Sequence, residues 1–184
     1  MTVSFRVVGL AVMSLGMVGG AARVASAQAN YVELAYQYQH AEDVHMVLGG
    51  ALQVGHAITD SLSVLGGVDV SRKSESVSDL GFSAEANLTL SSFFGAVRLA
   101  RPRTNQTFYG QIGFGASRLA ASAQFEDEEL FDESSTEPMI EPAAGVKIHL
   151  NRTWQGFAQV GLRRILADEG GNIFRFIAGV SRRF

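Results

Sequence analysis

Seven charged side chains stand within apolar stretches of the sequence, and they are the residues best placed to do chemistry. They are Glu33, Asp69, Arg98, Glu141, Lys147, Arg163 and Arg175. Successive side chains of a strand point to opposite faces, so such alternation places charges on one face and apolar residues on the other. Because an unpaired charge buried inside a protein costs much free energy, we predict a network that pairs the three carboxylates with the four cations. The network would act as a structural plug, and a gated ion path is the alternative.

The histidines give little support for catalysis. None of them lies in a G-x-S-x-G elbow or a His-x-Ser arrangement; they are His40, His45, His56 and His149. His40 and His45 flank two carboxylates, a spacing that could ligate a metal, although a flexible polar loop explains it better. The sequence therefore predicts no enzyme activity, no catalytic residue, no cofactor and no metal site.

The most acidic stretch of the sequence runs from Gln124 to Glu137. It holds seven carboxylates, which are Glu126, Asp127, Glu128, Glu129, Asp132, Glu133 and Glu137. The stretch lacks the D-x-[DN]-x-[DN]-G spacing of a calcium loop. We predict a solvated outer loop, with binding of divalent cations or of a basic partner as the alternative.

The composition excludes several classes of protein. A formal net charge of −3 gives no support for nucleic-acid binding, and the absence of cysteine excludes a disulfide framework and a lipid-anchored N-terminal cysteine. Much of the glycine lies inside apolar runs such as Ile112-Gly113-Phe114-Gly115. Glycine within a strand usually marks tight curvature or close backbone approach, as a narrow closed barrel requires.

The first residues are predicted to be a signal peptide. Arg6 precedes an apolar run from Val7 to Gly20, and small residues follow as far as Ala27. We place the cleavage after Ala27, with Ala29 as the alternative, so the domains are a signal peptide at 1–27 and a barrel at 28–184. A membrane-spanning helix is less consistent with this stretch, because the run falls short of about 20 residues.

The remaining sequence contains eight predicted strands, each with alternating side chains and turn signals at its ends. They are 31–39, 45–58, 62–71, a fourth strand that ends near Ala100, 107–119, 140–150, 154–165 and 172–184. No apolar run in this part is long enough for a spanning helix, so a membrane form must be a barrel.

The predicted connections alternate between tight turns and longer loops. The tight turns are 59–61, 101–106 and 151–153, and the longer connections are 40–44, 72–86, 120–139 and 167–172. Residues 82–90 also alternate and could extend a hairpin beyond the membrane. Outer-membrane barrels keep short turns on the periplasmic side, so this order places both termini there.

The apolar face carries aromatic residues near strand ends, which predicts a membrane girdle. The girdle residues are Tyr36, Tyr38, Phe93, Phe108, Trp154, Phe174 and Phe184. A soluble lipocalin-like periplasmic barrel is the alternative, because its strands also alternate polar and apolar side chains, although its apolar face points inward. Aromatics near strand ends, charges in mid-strand and a last strand that runs to Phe184 favour the membrane.

Three stretches resemble the small eight-stranded outer-membrane barrels of the OmpA transmembrane domain, OmpX and opacity-protein group. They are 109–115, 144–154 and 179–184, although Arg182 replaces the aromatic residue that is common in that family at the third position from the end. The resemblance implies an all-β, eight-stranded, antiparallel, up-and-down transmembrane barrel in the outer membrane of a Gram-negative bacterium.

The resemblance also implies partners and a function. Outer-membrane lipids and lipopolysaccharide would surround the barrel, the barrel-assembly machinery would recognise the C-terminal strand, and the loops could bind a surface ligand. We expect a structural or surface-interaction protein with a charge-plugged lumen. A narrow porin-like pore for small solutes or ions is the alternative.

Overall fold

The computed structural model describes residues 30–41, 44–79, 82–125, 128–167 and 170–184, and side chains within them at 30–41, 48–74, 86–123, 133–167 and 170–184. The predicted signal peptide, 1–27, lies outside these residues. No helix in the described part of the chain is long and apolar enough to cross a membrane.

The described residues form eight strands. They are β1 Asn30–Ala41, β2 Val44–Ala57, β3 Leu62–Asp79, β4 Phe82–Pro102, β5 Gln106–Phe125, β6 Glu128–His149, β7 Trp154–Ile165 and β8 Asn172–Arg183. Each strand pairs antiparallel with the next, and β8 pairs back onto β1, so the sheet closes into a barrel. The predicted all-β, eight-stranded, antiparallel, up-and-down architecture is confirmed.

Short turns join the strands at one end of the barrel, which we call the turn end; the opposite end is the loop end. The turns are 58–61, 103–105 and 150–153. Two of them are stabilised by a local side chain: Thr59 Oγ1 accepts a hydrogen bond from the amide of Leu62 at 3.0 Å, and Asn151 Oδ1 accepts one from that of Trp154 at 2.9 Å. Such side chains favour tight turns because they satisfy amides that would otherwise lack a partner.

The outer face of the barrel is apolar. Phe114 in β5 and Val160 in β7 are exposed by 57% and 44%, whereas Arg98 and Lys147 are exposed by only 2% and 6%. A soluble barrel has the opposite arrangement, because water outside favours polar side chains there. An outer surface of this kind requires apolar surroundings.

Four strands continue beyond the others at the loop end. β3 and β4 pair without interruption as far as Asp79 and Phe82, and β5 and β6 pair as far as Phe125 and Glu128. β4 and β5 also pair with each other along this region, which makes one four-stranded sheet that we call the extension. It comprises 73–79, 82–91, 117–125 and 128–138.

The extension corrects two sequence predictions. The connections 72–86 and 120–139 were predicted as loops, but where the structure describes them they are almost entirely paired strand, and the acidic stretch 124–137 lies mostly in a hairpin. The predictions were wrong because 72–79 and 124–137 are rich in charged and hydroxyl residues and lack the apolar alternation that marks a strand. The suggestion that 82–90 extends a hairpin is confirmed.

Candidate functional site: the charged interior

All seven charged residues singled out in the sequence point into the barrel and are buried. Glu33 lies on β1, Asp69 on β3 and Arg98 on β4; β6 to β8 contribute Glu141, Lys147, Arg163 and Arg175. They divide into two clusters along the bore. The Glu33 cluster comprises Glu33, Arg98 and Lys147, and the Asp69 cluster comprises Asp69, Glu141, Arg163 and Arg175.

The Glu33 cluster is centred on a single carboxylate. The Arg98 guanidinium binds it with two parallel hydrogen bonds, Nη1 to Oε1 at 2.8 Å and Nη2 to Oε2 at 2.9 Å. The Lys147 ammonium also contacts Oε1. Bidentate pairing of this kind is the strongest and most directional form of ion pair, so Arg98 holds Glu33 in a fixed orientation. The cluster carries two positive charges and one negative charge.

Two tyrosines hold the cations of the Glu33 cluster from the sides. The Arg98 guanidinium carbon lies 4.3 Å from the ring centre of Tyr109, and the Lys147 ammonium lies 4.3 Å from that of Tyr31. Each tyrosine also donates a hydrogen bond across the interior, Tyr31 to Ser63 and Tyr109 to Gln159, both at 3.2 Å. Aromatic faces attract cations, so the rings stabilise the extra positive charge.

The Asp69 cluster is balanced, with two carboxylates and two guanidinium groups. Arg163 contacts Asp69 and Glu141, each at 2.8 Å. Arg175 contacts the same two carboxylates, Glu141 at 2.6 Å and Asp69 at 3.1 Å. Each charge therefore has two partners of opposite sign, which is the arrangement that offsets the cost of removing buried ions from water.

Several polar residues of the interior were not singled out in the sequence. Gln37 accepts a hydrogen bond from Arg175 Nε at 2.9 Å and donates one to Ser71 at 2.9 Å, and Ser92 accepts one from Arg163 at 2.6 Å. These residues occupy the inward register of their strands, which is the signal that could have identified them. Uncharged polar residues in that register complete the hydrogen bonds of the ions.

A small cavity of about 60 Å³ lies beside the Glu33 cluster at the turn end. Tyr31, Ser63, Arg98 and Lys147 line it, together with residues of the 58–61 turn. The bore of an eight-stranded barrel is just wide enough for side chains to fill, and here the two clusters and their glutamines occupy it. The arrangement can brace opposite walls of the barrel.

The other candidates of the sequence lie apart from the clusters. His56 is half-buried at the turn end, where Nδ1 lies 2.8 Å from Asn30 Oδ1, and His40 lies at the loop end of β1. The side chain of His45 is outside the described residues. Within the described part of the chain, no three His, Cys, Asp or Glu side chains are grouped to hold a metal ion.

The seven girdle candidates all lie on the outward register. Phe108, Trp154 and Phe184 are exposed at the turn end, and Tyr36, Phe93 and Phe174 are exposed further along their strands. Tyr38 is half-buried.

Comparison with known proteins gives structural neighbours. No protein-family model and no curated protein sequence matches the chain. Among solved structures, Ail, the attachment invasion locus protein of Yersinia pestis, superposes with a TM-score of 0.59 and 15% identity, over 85% of this chain and 97% of Ail. This chain has the fold of an outer-membrane barrel.

Two further neighbours share this outer-membrane barrel fold. Neisserial surface protein A superposes with a TM-score of 0.60 and 13% identity, over 85% of this chain and 96% of that one. A major outer membrane protein from Thermus thermophilus superposes with a TM-score of 0.60 and 14% identity, over 85% of this chain and 99% of that one. The fold is therefore shared at sequence identities that leave the function open.

Proposed function

We propose that this chain is a transmembrane barrel of the Gram-negative outer membrane that acts as a structural or surface-interaction protein. The observation that supports this proposal is the direction of the side chains: apolar residues face outward, and paired ions fill the interior. Outer-membrane lipids and lipopolysaccharide would contact the apolar face, and both termini would be periplasmic. The barrel-assembly machinery would engage β8, which forms the closing seam with β1. The role is not enzymatic and requires no cofactor.

The extension is the surface that would meet a partner. Among the described residues, pairing between β2 and β3 ends at Arg72, and pairing between β6 and β7 ends at Met139. Beyond these points β3 and β6 continue within the extension, where they pair with β4 and β5 respectively. Ail has been crystallised with sucrose octasulfate, a polyanionic heparin analogue. The seven carboxylates of 124–137 instead favour a basic partner for this chain.

A test of the membrane location is retention in the outer membrane of a Gram-negative host. We expect the full chain to resist a carbonate wash and to show heat-modifiable mobility on gels. Val160→Arg places a charge at the middle of the apolar face of β7, which should cost about 2–4 kcal/mol and deplete the membrane fraction. Ser135→Arg, on the exposed part of the extension, is the matched control. A wild-type chain in the soluble fraction would overturn the proposal.

A test of the filled interior is conductance in planar bilayers. We expect no stepwise conductance from the wild-type chain, and none from Arg175→Met, because methionine is large enough to occupy much of the space of the lost side chain. Arg164→Met, at an exposed position on β7, is the control for the substitution itself. Stepwise conductance that rises in Arg175→Met, with unchanged heat-modifiable mobility, would support the alternative of a narrow pore.

A further inference from the structure

Four exposed arginines lie around the turn end, and we call them the basic collar. They are Arg101 at the end of β4, Arg103 in the turn that follows, Arg152 in the turn between β6 and β7, and Arg182 at the end of β8. Arg183 lies in the inward register opposite Tyr31 and lines the cavity instead. Among the described residues of this end, Asp60 is the one exposed acidic side chain. The turn end therefore carries a positive charge in a chain whose formal net charge is −3.

The collar lies at the border of the apolar face. The guanidinium carbon of Arg182 is 5.5 Å from the ring centre of Trp154 and 5.1 Å from that of Phe184. The guanidinium carbon of Arg103 is 5.7 Å from the ring centre of Phe108. These rings belong to the outward face, and aromatic side chains at such positions sit at the headgroup level of a bilayer. Arginines stacked on them are held at the depth of the lipid phosphates.

The opposite end of the molecule has the opposite charge. Five carboxylates of the acidic stretch lie on the described part of the extension, at the loop end by the pairing of β5 with β6. They are Glu128, Glu129, Asp132, Glu133 and Glu137. An anionic surface is therefore attracted to the turn end and repelled from the loop end. This asymmetry points to a ligand for the collar in the leaflet at the turn end.

We propose that the basic collar binds the phosphate groups of anionic phospholipids in the leaflet at the turn end. A guanidinium group is suited to this role because its planar N–H donors match phosphate oxygens in bidentate geometry. The collar would select anionic over zwitterionic headgroups, since the latter carry no net charge. This inference rests on the proposed membrane location, and it adds the class of lipid and the residues that recognise it.

The single tryptophan of the chain, Trp154, reports directly on the collar because Arg182 lies over its ring. The experiment refolds the full chain into phosphatidylcholine vesicles that contain a fixed fraction of phosphatidylglycerol. Bromine atoms near the top of the acyl chains, carried by one lipid or the other, quench Trp154 fluorescence. We expect phosphatidylglycerol to be enriched beside Trp154 by roughly fivefold relative to the bulk, as expected for about one arginine contact.

Variants assign the enrichment to the collar. Arg182→Gln and Arg152→Gln should each lower it about twofold or more, whereas Arg182→Lys should retain most of it. Arg164→Gln, at the loop end of β7, is the matched control and should change nothing. Comparing the two brominated lipids within each variant removes any direct effect of Arg182 on the fluorescence of Trp154. High salt should reduce the enrichment, because exposed charges are screened.

Heat-modifiable mobility of every sample separates the two possible failures. If the wild-type chain does not insert, the proposed membrane location is contradicted. If only Arg182→Gln does not insert, Arg152→Gln and Arg182→Lys still test the collar. An inserted wild-type chain that quenches equally with both brominated lipids overturns the collar proposal. Enrichment that persists in both glutamine variants also overturns it.

Discussion

Glu33→Gln should lower the free energy of unfolding by about 3–5 kcal/mol, the usual cost of leaving a buried charge without its partner. We expect a loss at the upper end of this range, because the single Glu33 carboxylate pairs with both Arg98 and Lys147. The substitution keeps the size of the side chain, so the effect reports on charge and not on packing. Urea titrations of the protein in phospholipid vesicles, followed by Trp154 fluorescence and gel mobility, measure it.

Lys147→Met provides the contrast within the same cluster. Arg98 retains both hydrogen bonds to Glu33 in that variant, and the excess positive charge is gone, so we expect a change of less than about 1 kcal/mol. Adding Lys147→Met to Glu33→Gln should recover part of the lost stability, because one of the two unpaired cations is removed. Glu137→Gln, in the extension, controls for the loss of a carboxylate. Equal destabilisation by Glu33→Gln and Lys147→Met would contradict this account of the cluster.

Gly179→Ala should impair closure of the barrel. A Cβ at Gly179 on β8 would collide with the backbone carbonyl of Leu34 and lie 2.6 Å from the Cα of Ala35 on β1. Because backbone atoms cannot move aside as a flexible side chain can, the two strands must separate at the seam between β1 and β8. We expect a loss of about 3 kcal/mol or more, at the upper end of the cost of overpacking, seen as a smaller fraction of heat-modifiable protein after refolding.

Gly156→Ala is the matched control for the seam. No atom lies within 4 Å of a Cβ built at Gly156 on the neighbouring strand β7, so the added methyl group meets open space. It should refold as the wild type does, and the loss of glycine flexibility in the unfolded chain adds only a small stabilisation. Equal effects of the two alanine substitutions would show that close approach at the seam is unimportant.

The side-chain alternation was sufficient to predict the barrel, because a strand buried on one face repeats every two residues. It also identified the register of Glu33, Asp69 and Arg175. It did not indicate that Arg98 on β4 and Lys147 on β6 converge on Glu33, because height in the bore depends on the stagger between strands. Most of the extension was missed for another reason: 72–79 and 124–137 consist mainly of polar and charged residues, so they show no apolar alternation.

The ion pairs of the interior join walls that are far apart around the barrel. Arg163 on β7 binds Asp69 on β3, and Arg98 on β4 binds Glu33 on β1. A barrel held only by the hydrogen bonds between its strands can flatten under lateral pressure. In this barrel the ion pairs across the interior would have to break first. The buried ion pairs therefore stiffen a wall that is a single sheet, and we expect the cross-section of the barrel to stay round as the tension of the surrounding membrane changes.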